Sequence, residues 1–198
     1  MNKLLIGLFL MWGYVVSAQS AQELIHNVQA KFNTIENFSA GIAQTKLDGK
    51  HYAGKFYYAK GNKYRIEFKN MLIVSDGNSI WNFNKKINRV VITNLSDNPD
   101  AFSFEKFIFD FPGKCKMEIT GKSHNNYEVK FIPLDDDLGF DWAKVTITPD
   151  SLIKKIQIAD YSGNKFNVDL TNIKINQNIP KNKFTFEPKK GVKIVDLR

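Results

Sequence analysis

Side chains with reactive chemistry are few and scattered along the 198 residues. The three histidines, His26, His51 and His124, have no metal-ligand spacing and no Glu-x-x-His partner. Cys115 is the single cysteine, so it has neither an internal disulfide partner nor a second thiol for metal or redox work. No histidine lies near it in sequence, and a buried bystander thiol is its simplest role. There is no Gly-x-Ser-x-Gly elbow and no phosphate-cradling glycine loop. Asp135-Asp136-Asp137 lacks the glycine and distal glutamate of a calcium loop and reads as solvated acid. No apolar pocket adjoins those carboxylates to raise a pKa for acid–base work. The expectation is therefore a protein that is no enzyme and uses no metal or cofactor.

What the sequence does hold is aromatic surface at strand spacing. Tyr64, Ile66 and Phe68 alternate with Lys63, Arg65 and Glu67, which makes one face apolar and the other charged. Phe56 and Tyr58 share a side of the preceding strand, 52–59, and Lys60-Gly61-Asn62 turns the chain between the two. Asp76-Gly77 between apolar runs signals a hairpin, because its turn needs positive φ. Beyond it Trp81 and Phe83 fall on one face, Asn82 and Asn84 on the other. Such a greasy sheet face needs a cover, which is either a protein core or a ligand.

Candidate covers are two. Ser20-Ala21-Gln22-Glu23 is a capping box, and Leu24, Ile25, Val28, Phe32 and Ile35 form one stripe of the helix that follows, with His26 off it. The second is 99–111, with five phenylalanines in ten residues. As a strand, Phe107, Phe109 and Phe111 would share a face. The Pro99 start, with Asn98 or Asp97 as cap, and the Pro112-Gly113 stop favour a helix. So apolar a helix is either deeply buried or lies over an apolar cavity as a lid. From 116 onward the chain returns to alternating strands, with turns at Asn125-Asn126, Thr148-Pro149-Asp150 and Ser162-Gly163-Asn164. Phe184-Thr185-Phe186 reads as a last strand, followed by an extended tail.

Composition sets the frame. With 43% hydrophobic and 24% charged residues the chain is an ordinary globular protein. The net charge of +8 is spread along the strands as a solvated face. No module interleaves those cations with aromatics, so no nucleic-acid partner is expected. Asn2-Lys3, the apolar run to Val16 and the small residues Val16-Ser17-Ala18 make 1–18 a signal peptide, with 19–198 one mature domain. No cysteine follows the cleavage position to take a lipid, so a soluble, monomeric periplasmic protein is expected.

Two segments resemble the LolA family of periplasmic lipoprotein carriers. Val74-Ser75-Asp76-Gly77-Asn78-Ser79-Ile80-Trp81 with Phe83-Asn84 is similar to that family's central hairpin. Lys183-Phe184-Thr185-Phe186-Glu187-Pro188, Gly191-Val192 and Asp196 are similar to its closing segment. The Gly54-Lys55-Phe56 strand, the first helix and the chain length fit as well. The resemblance implies a mainly β protein with helices (α+β): one strongly curved antiparallel sheet, an unclosed β-barrel, lidded over an apolar cavity. It implies a carrier that takes acylated lipoproteins from an inner-membrane ABC transporter and passes them to an outer-membrane acceptor. The cavity would be lined by Phe56, Tyr58, Tyr64, Ile66 and Phe68, and past the hairpin by Trp81 and Phe83. Phe102, Phe104 and Phe107 would come from the lid. Where the family has an Arg-Pro pair whose arginine helps hold the lid, this chain has Lys60-Gly61. Lys60 is then either a lid contact, as a point donor without the planar fork, or a solvated turn lysine. A carrier of another amphiphile on the same fold is the alternative, and a hydrolase of lipid esters a third reading without a reactive group to support it.

Overall fold

The computed structural model describes residues 20–46, 49–96 and 104–198. The expected signal peptide, the Asp48 turn residue and the start of the Phe-rich segment, Pro99 and Phe102 included, lie outside them. Helix α1 (Ala21–Asn33) begins where the sequence predicts: Ser20 caps it, its hydroxyl accepting from the Glu23 amide at 3.1 Å. The stripe Leu24, Ile25, Val28 and Phe32, continued by Ile35, is buried.

Among the described residues twelve strands follow: β1 (Asn37–Lys46), β2 (His51–Ala59), β3 (Lys63–Phe68), β4 (Met71–Asp76), β5 (Ser79–Asn84), β6 (Arg89–Asn94), β7 (Cys115–Ser123), β8 (Asn126–Pro133), β9 (Trp142–Ile147), β10 (Ile153–Ala159), β11 (Lys165–Ile175) and β12 (Lys193–Asp196). They form one sheet in the order β12-β6-β5-β4-β3-β2-β1-β11-β10-β9-β8-β7, curved and unclosed between edges β12 and β7. The sheet is a meander with two long-range joins: the first strand pairs with β11 and brings the two halves together, and β12 adds to β6 at one edge. Every pairing is antiparallel except the last: β12 runs parallel to β6, Ile194 opposite Val90. That corrects two expectations at the C-terminus. The tail is a strand, whereas Phe184 closes a helical turn (Lys181–Phe184).

Two glycines do specific work. Gly77 turns the β4–β5 hairpin at φ 98°, while the Asp76 carboxylate accepts from the Asn78 and Ser79 amides at 2.9 and 2.8 Å. Gly54 pairs with Phe68. A Cβ there would run into the Glu67 carbonyl and the Phe68 ring, so the close approach of β2 and β3 needs a residue without one.

The inner face of the sheet, which holds α1, carries the main core: Phe38, Ala40 and Ile42 of β1, Phe56 and Tyr58 of β2, Tyr64 and Phe68 of β3, and Val129, Phe131, Val145, Ile156 and Leu170 from the other half. Residues 104–114 cover this face beside α1. They are helical, as the proline punctuation predicts, but not a regular α-helix: Lys106–Asp110 is a π-helical turn and Phe111–Lys114 a tight 3-10 turn.

The outer face has a second, smaller apolar cluster, with Leu72, Val74, Val90, Ile92 and Phe184 all buried. The C-terminal segment is pinned over it. Arg65 donates to the Lys183 carbonyl at 3.4 Å, Lys183 pairs with Glu67 at 3.5 Å, and its ammonium lies 4.6 Å from the Tyr57 ring centre. Burial works against the charge on Glu67, but hydrogen bonds and charge from Arg65 and Lys183 outweigh it and hold the carboxyl below its usual range.

Candidate functional site

The site grows from cross-strand register. Phe56 lies opposite Ile66, Tyr58 opposite Tyr64, and Phe38 of β1 opposite Tyr58. Directly opposed residues share a face, so these side chains form one aromatic floor on the inner side. The pairing carries Tyr64 to Ser75 and Ile66 to Ile73 on β4, and from there to Ile80 and Asn82 on β5. Trp81 and Phe83 therefore point outward, opposite Val74 and Leu72. That corrects their placement in the cavity. Phe83 packs on Phe186 of the C-terminal segment, ring centres 5.4 Å apart. Burial of an aromatic residue shows that a cover exists but not on which face, and here the chain itself covers the outer one.

Phe104 fills the floor. Its ring centre is 5.5 Å from Phe56, 5.7 Å from Phe38, 5.9 Å from Tyr58 and 6.4 Å from Phe32. Offset and edge-on contacts at such distances are each worth about 0.5–1.5 kcal/mol beyond area burial. Phe107, the other described lid phenylalanine expected here, faces a different quarter: it meets Phe111 at 5.7 Å and Phe131 of β8 at 6.1 Å. Ile66 is half-buried at the rim of the floor. Beside Phe104 an apolar cavity of about 380 Å³, counting its open mouth, runs between Val28, Phe32, Ile108, Ile153, Leu170 and Ile173. Little of that space is enclosed: about 30 Å³, room for roughly one water, which is far below what a ligand needs. An acyl-sized ligand would have to take the space Phe104 holds.

What fastens this cover is a carboxylate. Glu105 Oε1 accepts from the Tyr58 hydroxyl at 2.8 Å and from the Gly61 and Asn62 amides at 3.0 and 3.3 Å. Its Oε2 accepts from Asn62 Nδ2 at 3.2 Å. Gln29 of α1 adds a bond to the Ile108 carbonyl at 3.0 Å. Lys60 turns the other way, donating to the Asn33 carbonyl at the end of α1 at 3.1 Å and pairing with Glu36 at 2.6 Å. Both partners of that pair are exposed, so it contributes at most about 1 kcal/mol. The contact to the Phe-rich segment therefore belongs to Lys60's neighbours, with the polarity expected of Lys60, donors on the sheet and acceptor on the lid, but the acceptor is a side-chain carboxylate. Sequence reasoning missed Phe32, Phe38, Asn62 and Glu105. Phe38 was within reach of the parity argument; Glu105 was not, since nothing local marks a lone glutamate among phenylalanines.

Burial, then the hydrogen bond and charge of Glu105, pushes the Tyr58 phenol far up, and burial raises Tyr64 to about 12. Both rise above the ordinary 10.0, so their contribution to stability is complete below pH 10.0 and declines above it, as the unfolded chain loses protons that the folded chain keeps. Stability should fall by about 1.4 kcal/mol per pH unit for each such tyrosine. Denaturant midpoints followed from neutral to alkaline pH should show a shallower decline in Tyr64→Phe than in the parent protein; equal slopes would refute the assignment. Cys115 is buried, and burial with the charge of Asp135 raises its thiol, which makes it a poor nucleophile. Asp135 caps the turn Asp136–Leu138. Among the described residues no group of His, Cys, Asp and Glu could hold a metal ion, and no helix is long and apolar enough to cross a membrane.

Comparison with known proteins agrees with this architecture. The sequence pattern of the family described as "Outer membrane lipoprotein carrier protein LolA" matches residues 33–187. An outer-membrane lipoprotein carrier protein of Legionella pneumophila (strain Paris) is 25% identical over 214 residues, covering 98% of this chain and 99% of the relative. The protein of that name in Alcanivorax borkumensis is also 25% identical, over 98% of each chain. Among solved structures, an uncharacterized conserved protein from Thermus thermophilus superposes with a TM-score of 0.61 at 14% identity, over 89% of this chain and 98% of that one, and shares its fold. With the family's pattern running from the end of α1 through the C-terminal segment that covers the outer face, the chain belongs to the LolA family of outer membrane lipoprotein carrier proteins.

Proposed function

We propose that the protein is a periplasmic carrier of lipoproteins, exported by residues 1–18 and working as a monomer whose mature part, 19–198, is one domain. It takes the acyl chains of a lipoprotein released by an ABC transporter in the inner membrane and passes them to an acceptor at the outer membrane. The observation that carries this reading is the aromatic floor of Phe56, Tyr58, Tyr64 and Phe68, rimmed by Ile66 and covered by Phe104. Phe104 yields its place on the floor to the chains, and Phe107 bounds the neighbouring quarter from the lid. Each buried methylene contributes about 0.8 kcal/mol, so acyl chains do not cross water uncovered. A carrier must also let go. Non-directional contacts with aromatic rings allow that, because chains can slide out without breaking a fixed set of hydrogen bonds. No catalytic step is needed.

The test is a release assay. Inner-membrane vesicles carrying a labelled lipoprotein are incubated with the mature protein and ATP. A soluble one-to-one complex is expected, and a client without its acyl chains should form none. Equal binding of acylated and unacylated client would overturn the proposal. Uptake of apolar probes without any lipoprotein release would point to a carrier of another amphiphile.

A further inference from the structure

Two consecutive residues of the lid reproduce the two ends of an amphiphile. Phe104 is the apolar end, held among Phe32, Phe38, Phe56 and Tyr58. Glu105 is the polar end. Its carboxylate meets the Tyr58 hydroxyl, the Gly61 and Asn62 amides and the Asn62 side-chain amide, all within 3.3 Å. Gly61 and Asn62 both have left-handed backbone, φ 79° and 54°, and this bend aims their successive N–H groups at one oxygen. Tyr58 belongs to both ends, with its ring in the floor and its hydroxyl in the donor set. These donors are all neutral, and Lys60, next in the chain, pairs with Glu36 instead.

We propose that Tyr58, Gly61 and Asn62 form a head-group site for an acyl-chain ligand, which Glu105 occupies in the closed protein as Phe104 occupies the tail site. This rests on the reading that the inner face takes acyl chains. The ligand class is a chain ending in an oxygen acceptor: a carboxylate, a phosphate, or the carbonyl of an ester or amide. Because Phe104 and Glu105 are neighbours, one ligand displaces both. A bare hydrocarbon would replace only the ring and leave the donors, one of them on a fully buried tyrosine, without an acceptor. A cationic head would bring donors to donors.

Displacement of a fluorescent apolar probe by dodecanoate, methyl dodecanoate, dodecane and dodecylamine reads the site directly. The parent protein should take the acid and the ester about tenfold more tightly than the alkane and the amine. A lead of acid over ester indicates an anion site, and parity indicates that a carbonyl suffices; both support the proposal. Glu105→Ala should tighten every chain about tenfold and keep the head-group preference, while Glu105→Gln, which retains one acceptor oxygen, should fall between. Tyr58→Phe and Asn62→Ala should reduce the preference while still binding the probe, which shows that their fold is intact. Equal affinity for all four ligands in the parent protein, or an undiminished preference in Tyr58→Phe, would overturn the head-group site alone. Failure of every chain and of the probe to bind, in Glu105→Ala as well, would overturn both this site and the carrier reading.

Discussion

Phe104→Ala should tighten acyl-chain uptake by about 10- to 100-fold and, without ligand, destabilise the protein by about 3–5 kcal/mol. Both effects have one cause. The ring is buried to 8% exposure against four aromatic neighbours, so its removal leaves a hole that the rigid sheet cannot collapse to fill. In the parent protein a ligand must first displace that ring. The apparent affinity is reduced by the small fraction of molecules in which the floor is bare, and truncation removes that penalty. Denaturant unfolding with and without a saturating acyl ligand, together with a probe titration, measures both. Ligand should restore most of the lost stability, since binding only the folded state adds RT ln(1 + [L]/Kd). Weaker uptake in Phe104→Ala would show that the ring is a wall of the ligand site and not its occupant.

Phe184→Ala should cost as much stability, about 3–5 kcal/mol, but leave acyl uptake within about twofold of the parent. Phe184 is 6% exposed and belongs to the outer cluster with Leu72, Val74, Val90 and Ile92, which does not merge with the inner core. Phe83→Ala should follow it with a smaller loss, because Phe83 is only half-buried against Phe186. Unfolding curves and the same probe titration separate the two faces. A large loss of uptake in either variant would mean that the C-terminal segment supports the ligand face through the sheet.

Much of this architecture was legible in the residue pattern. The capping box placed the start of α1 and the apolar spacing its buried face. Asp76-Gly77 located the β4–β5 hairpin, and proline with glycine stopped the Phe-rich segment before β7. These features are local: each depends on the φ, ψ or face preference of a few neighbouring residues, and no distant contact opposed them. The aromatic floor on β2 and β3 followed from parity because Lys60-Gly61-Asn62 joins the strands in a register that keeps even-numbered residues on one face.

The other decisions were long-range. The register between β3 and β4 exchanges odd and even positions and that between β4 and β5 exchanges them back, so even-numbered residues face inward on β5 as on β2 and β3, and odd-numbered Trp81 and Phe83 emerge on the outer face although they look as apolar as Phe56 and Tyr58. Only the docking of Phe184 and Phe186, some hundred residues downstream, makes that face a sensible place for them. The segment 184–186 has the alternation of a strand but spends its apolar side on this cluster, and β12 takes the sheet edge beside β6 instead. Glu105 acquires its role from Tyr58, Gly61 and Asn62, more than forty positions away. Local chemistry thus determined the elements, their apolar faces and the family resemblance. Tertiary structure alone decided which face lies under the Phe-rich segment and which residue fastens that segment, because both depend on pairings whose partners are far apart in the chain and carry no mark of one another.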